Sequence, residues 1–77
     1  MNGEFIIKDY HNALAYYTVA IEINPEYANA YNNRGDAYKY LKDYHKALIE
    51  YTRAIEIDHK YTDAYFNRGN TYYYLKE

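Results

Sequence analysis

Cysteine is absent from the 77 residues, and with it go disulfides, thiolate metal ligands and thiol nucleophiles. Proline occurs once and glycine three times, so little in the chain breaks long helices. No apolar run approaches the roughly 18 residues that a membrane-spanning helix requires. The N-terminus also lacks the basic-then-apolar layout of a secretory signal. The chain is therefore read as cytoplasmic, with no membrane partner. Positive charge is scarce: nine Lys and Arg face eleven Asp and Glu, for a net charge of −2. That balance leaves no basic footprint for nucleic acid.

What is present is 49% hydrophobic and 26% charged, the balance of a globular chain. At this length it forms one small domain, near the lower limit for a self-sufficient core. Tyrosine stands out, with 14 residues and no tryptophan. A bias of that size points to one structural slot used repeatedly, and so to an internal repeat.

Shifting the sequence by 34 lays residues 10–43 on residues 44–77 with 20 identities and no gap. Among the matches are Tyr10/Tyr44, Ala13/Ala47, Tyr17/Tyr51, Ile21/Ile55, Tyr31/Tyr65, Arg34/Arg68, Gly35/Gly69 and Tyr38/Tyr72. The chain divides into a leader, 1–9, and two units, 10–43 and 44–77. Within each unit apolar residues recur at three- and four-residue steps, the mark of a buried helical stripe. Ala13, Leu14, Tyr17, Ala20 and Ile21 form one such stripe. Tyr27, Ala30, Tyr31, Arg34, Gly35, Tyr38 and Leu41 form the next. Pro25 ends the first, because the residue before a proline is pushed out of the α region.

The spacing predicts helices over 10–23, 28–41, 44–57 and 62–75, with Asp9 and Asp43 as caps. The leader, with Phe5, Ile6 and Ile7, is expected to extend the first helix or to form a short one of its own. Gly35 and Gly69 sit inside helices, where glycine costs about 1 kcal/mol against alanine. Such a cost is tolerable where a neighbouring helix crosses closely, with Tyr38 and Tyr51 as the filling knobs.

These motifs, Tyr31-x2-Arg34-Gly35-x2-Tyr38 and Ala13-x3-Tyr17 with Pro25, recur as Tyr65-x2-Arg68-Gly69-x2-Tyr72 and Ala47-x3-Tyr51 with His59. The pattern resembles the tetratricopeptide repeat over residues 10–77. The resemblance implies an all-α solenoid of antiparallel helical hairpins stacked in a right-handed superhelix. Tyrosine stands in the family's tryptophan and phenylalanine positions, and arginine in its leucine position. Histidine in the second proline position implies a less sharply hinged second turn. Arg34 and Arg68 are expected to pack by their stems and to pair with Asp36 or Asp63. The chain starts in mid-unit and stops on a glycine-bearing helix without a polar cap. That phase suggests a piece of a longer array, or copies that stack end to end or exchange helices.

In the family, glycine-bearing helices line the concave face, where ligands lie. Helical spacing places Asn29, Asn32, Asn33, Asp36, Lys39 and Tyr40 on the non-core side of the second helix. Asp63, Phe66, Asn67, Asn70, Tyr73 and Tyr74 occupy the equivalent side of the fourth. Amides both donate and accept, so Asn33 and Asn67 could clamp a peptide backbone regardless of its sequence. Their one-per-repeat spacing resembles the asparagine ladder of long members of the family. The basic clamp by which some members hold acidic tails is not expected, since its later positions fall on Asp63 and Asn67.

His11 and His45 are one repeat apart without companion ligands, so repetition accounts for them and no metal or cofactor is expected. Nor is there a nucleophile–base set or a phosphate-cradling loop. The leading expectation is a non-catalytic protein–protein interaction scaffold taking a peptide on its concave face. Self-assembly through uncapped ends is the alternative. An RNA-binding helical repeat ranks third, because the charge is wrong for it.

Overall fold

The computed structural model describes residues 3–76; Met1, Asn2 and Glu77, and the side chains of residues 3–8, lie outside the described residues. The chain forms four helices: α1 (Gly3–Ile23), α2 (Ala28–Tyr40), α3 (Tyr44–Ile57) and α4 (Thr62–Lys76), with no strand among the described residues. The last three match the expected spans to within one residue. The first begins earlier. Asp9, expected as its cap, instead lies inside α1. Continuing a helix adds one hydrogen bond per residue fixed, whereas a separate short helix would need its own costly nucleus. The expectation for Phe5, Ile6 and Ile7 is thus answered for the backbone alone, because their side chains lie outside the described residues.

Asp43 does cap α3, accepting from the Lys46 N–H at 3.4 Å. The turn before it is tight. Lys42 adopts a φ of 67°, and the Asp43 N–H reaches back to the Tyr38 carbonyl at 2.8 Å. This is a six-to-one C-terminal closure with lysine in the position glycine usually takes.

The other two turns are built alike. Tyr27 N–H donates to the Asn24 carbonyl at 3.1 Å, and Tyr61 N–H to the Asp58 carbonyl at 3.1 Å. Asn24 Oδ1 accepts from the Glu26 N–H at 3.1 Å, and Asp58 Oδ1 from the Lys60 N–H at 3.0 Å. The expected looser turn at His59 is therefore not found. Side-chain-to-backbone bonds from Asn24 and Asp58 close both turns, with or without proline between them.

Successive helices pack in sequence, α1 on α2, α2 on α3 and α3 on α4, and α2 also touches α4. The core lies where α2, α3 and α4 meet: Tyr31, Ala54, Ile55 and Ala64, flanked by Ile21, Ala28, Ile57 and Tyr61. Ala47, Ala54 and Ala64 are fully buried, and such small residues let the helix axes approach closely.

Tyr51, fully buried, decides the closest approach. A Cβ built on Gly35 would stand 2.7 Å from the Tyr51 ring, so only glycine leaves room for it. The Tyr51 hydroxyl donates to Asp36 Oδ1 at the mouth of the same notch. Burial first, and then that bond, push the Tyr51 hydroxyl far above the usual tyrosine range. Gly69, expected to serve as a second close approach, does not. Nothing lies within 4 Å of a Cβ placed there, since no helix covers that side of α4 among the described residues.

The two glycines should therefore respond oppositely to alanine. Gly35→Ala should lose about 1–3 kcal/mol by overpacking, a fall of about 4–8 °C in Tm per kcal/mol for a domain of this size. Gly69→Ala should hold or gain up to about 1 kcal/mol, as read by thermal circular dichroism at micromolar concentration. Tyr51 also carries a pH dependence. The folded chain holds its proton more tightly than the unfolded chain. Its contribution is thus complete below pH of about 10 and falls as pH rises further. Tyr51→Phe should make alkaline destabilisation shallower above pH of about 10, while costing about 1 kcal/mol at neutral pH for the lost bond. Urea titrations across that range check both.

Candidate functional site

All twelve residues expected to form a binding face stand on α2 and α4, which touch each other and both pack on α3. Asn67 Nδ2 donates to Asn32 Oδ1 at 3.2 Å, linking α4 to α2. Asn29 Nδ2 donates to the Tyr61 hydroxyl at 2.8 Å, a second link near the turn before α4. Asn33 Nδ2 donates to Asn29 Oδ1 at 3.0 Å along α2. Asn33 is thus ordered by Asn29, and Asn67 by Asn32, the residue next to Asn33 on α2. Among the described residues, the carbonyl oxygens of Asn33 and Asn67 accept no side-chain bond. Burial raises the Tyr61 hydroxyl above its usual range, and the Asn29 bond pulls the other way.

Asn32 departs from expectation. It is 5% exposed and serves as the buried acceptor for Asn67. Helical spacing shows which side of α2 a residue occupies, but not that α4 closes over that side. Asp36 is half-buried and engaged by Tyr51, so it is less free than its place on the helix suggests. Lys39 is half-buried with its ammonium 5.2 Å from the Tyr40 ring centroid. Asp63, Phe66, Tyr73 and Tyr74 are exposed on α4, and Asn70 is half-buried. Phe66, Tyr73 and Tyr74, spread along α4, give that helix its aromatic character.

Two tyrosine stacks lie one repeat apart. Tyr10 lies parallel to Tyr40 at 5.0 Å, and Tyr44 to Tyr74 at 5.9 Å. Such pairs contribute beyond area burial and hold the rings in fixed orientation. Between them Lys39, Tyr40, Lys42, Tyr44 and Tyr74 line a hollow of about 300 Å³. A second hollow of about 340 Å³ lies between α1 and α2, lined by Asp9, Tyr10, Ala13, Tyr17, Asn33, Asp36, Ala37 and Tyr40. Helical spacing alone left Tyr10, Tyr17 and Tyr44 off these surfaces, although the Tyr10/Tyr44 identity marked a repeated aromatic contact.

Arg34 is placed differently from expectation. Its Nε and Nη2 both lie 2.9 Å from Glu50 Oε1, and its Nη1 lies 3.2 Å from Thr18 Oγ1. Neither Asp36 nor Asp63 is its partner. The guanidinium thereby joins α1, α2 and α3 while resting 5.6 Å from the Tyr31 ring centroid. Arg68 repeats part of this, donating to Thr52 Oγ1 at 3.2 Å over the Tyr65 ring. Glu50 sits on the same stripe as Ala47, Tyr51 and Ala54, and that spacing was the available clue. Among the described residues, no group of three or more His, Cys, Asp or Glu could hold a metal, and no helix is long and apolar enough to cross a membrane.

With this geometry in view, two family comparisons agree. Residues 35–75 match the family described as TPR repeat, and residues 16–49 the family described as tetratricopeptide repeat. The chain belongs to the tetratricopeptide repeat family. Repeats of this family generally mediate protein–protein interaction and are generally non-catalytic scaffolds. Among curated proteins, it is similar to serine/threonine-protein phosphatase 5 of Homo sapiens, at 51% identity over 37 residues. The same protein of Rattus norvegicus matches at 51% over 37 residues. Each match covers 48% of this chain but only 7% of the relative's length.

The Arg34–Glu50 pair generates a stability test. Its side chains are 17% and 11% exposed, so removing the carboxylate leaves a largely desolvated charge. Glu50→Gln should cost about 1.5–3 kcal/mol. The exposed Glu26–Arg53 pair should behave otherwise, with Glu26→Gln changing stability by less than about 1 kcal/mol. Equilibrium urea unfolding separates the two.

Proposed function

We propose that the strip across α2 and α4 binds an extended protein segment from a partner. The observation that carries this reading is that α2 and α4 each bring an asparagine, Asn33 and Asn67, whose carbonyl oxygen accepts no side-chain bond among the described residues. An amide offers a donor and an acceptor at once, the pairing that an extended peptide backbone presents at every residue. Such contacts hold a backbone without reading its sequence. Selectivity then falls to Phe66, Tyr73 and Tyr74 at one side and to the hollow at Lys39, Tyr40 and Tyr44. These would take apolar or aromatic side chains, with the aromatic rings supplying most of the contact area. Asp63 favours a partner segment of neutral or positive charge over an acidic one.

The test is titration of the chain with peptides selected on it from a displayed random library. Asn33→Ala combined with Asn67→Ala should weaken binding by about tenfold or more, about 1.4 kcal/mol. Because buried Asn32 loses its donor, stability should also fall by about 1–3 kcal/mol, so binding is read at a temperature where the variant is folded. Phe66→Ala should weaken it in proportion to the aromatic content of the peptide. Undiminished affinity in the double variant would discard the amide strip as the binding element.

A further inference from the structure

Among the described residues, α1 and α3 both pack on α2 but do not approach each other. Over the C-terminal end of α2 this leaves a hollow of about 670 Å³, walled by α1, α2, the turn that follows it and the first turn of α3. Its apolar lining is Leu14, Tyr38 and Leu41, each half-buried, so each keeps part of its surface in water. Its rim carries His11, Lys42 and Lys46, all exposed. One carboxylate stands among them, and it is already engaged. Asp43 accepts from the Lys46 N–H at 3.4 Å and lies 3.7 Å from the Lys46 ammonium. Among the described residues Lys42 forms no ion pair. The whole chain has a net charge of −2. The hollow is thus an apolar slot with a cationic rim on a molecule of opposite sign.

Two features show that this charge is not demanded by the fold. Lys42 holds a φ of 67°, a conformation that glycine adopts at less cost, yet the position carries an ammonium. Lys46 stands where the first unit has Asn12, so the repeat itself does not call for a cation there. Its ammonium lies 5.6 Å from the Tyr38 ring centroid, at the wall of the hollow.

We propose that this hollow docks an acidic segment of a partner protein, which seats one large apolar side chain between α1 and α3. Leu14, Tyr38 and Leu41 lose water to that side chain, and the carboxylates flanking it face Lys42 and Lys46. The volume is that of a site able to enclose such a group. A nucleic-acid backbone brings the charge without the apolar group, and its phosphates meet a chain of the same sign. The surface is separate from the strip across α2 and α4, where Asp63 favours neutral or positive segments. The two sites take segments of opposite charge.

Two-dimensional amide NMR of the isotope-labelled chain tests this with three capped pentapeptides, Glu-Glu-Phe-Glu-Glu, Glu-Glu-Ser-Glu-Glu and Lys-Lys-Phe-Lys-Lys. The first should shift the amides of Leu14, Leu41, Lys42 and Lys46 saturably, and the other two should not at the same concentration. Raising salt to about 0.5 M should weaken the binding, because the rim charges are exposed. Lys42→Gly removes the ammonium and suits the positive φ. It should weaken binding about two- to fivefold while the melting temperature holds, and Lys42→Glu should weaken it further. Asn33→Ala with Asn67→Ala, read where that variant is folded, should leave this binding unchanged, which separates its outcome from that of the strip. Equal shifts with the serine peptide overturn the proposal, as does affinity that Lys42→Gly and Lys42→Glu both leave intact. So does a chain that none of the three peptides shifts. A single-stranded oligouridylate that shifts the same amides at lower concentration than the acidic peptide also overturns it, in favour of nucleic acid.

Discussion

The Tyr51 ring in the notch at Gly35 is the contact from which the rest of the molecule takes its geometry. It sets how closely α2 and α3 approach, and that spacing places Arg34 within reach of Glu50. The Tyr51 hydroxyl is then carried to Asp36. A larger residue at Gly35 would push the helices apart and lengthen every contact between them. The conformational cost of a mid-helix glycine is offset by dispersion and burial of a whole aromatic side chain. Tyrosine serves here where a purely apolar ring would also fill space, because its hydroxyl reaches an acceptor at the edge of the core.

Around that contact the molecule uses polar bonds to do what a larger domain would leave to apolar burial. Arg34 ties three helices through one guanidinium, and the Asn67–Asn32 bond joins α2 to α4. The alanines bring backbones close but bury little area each, so directional bonds carry much of the specificity of alignment. The same economy exposes chemistry. Asn67 aligns α4 on α2 through its amide nitrogen, and its carbonyl oxygen accepts no side-chain bond among the described residues.

Repetition places the same residue types in different surroundings. Within the chain this relation was visible as identities such as Tyr17/Tyr51 and Gly35/Gly69. Its consequence was not. Glycine at 69 looked equivalent to glycine at 35 because both occupy the same place in the pattern. The environments differ because one has a helix across it and the other does not.

Helix number and spans could be read from the chain, because apolar periodicity and the place of Pro25 are local properties. The close approach at Gly35 was legible as well, since a glycine inside a helix is costly unless a bulky ring from a neighbouring helix fills the space it leaves. The tertiary structure alone decided which groups meet. It assigned Glu50 rather than Asp36 to Arg34, drew Asn32 out of the open face into a bond with Asn67, and closed the turn at His59 as tightly as that at Pro25. These outcomes depend on the rotation and spacing of whole helices against one another. Sequence periodicity gives the side of a helix on which a residue lies, but not which neighbour covers that side.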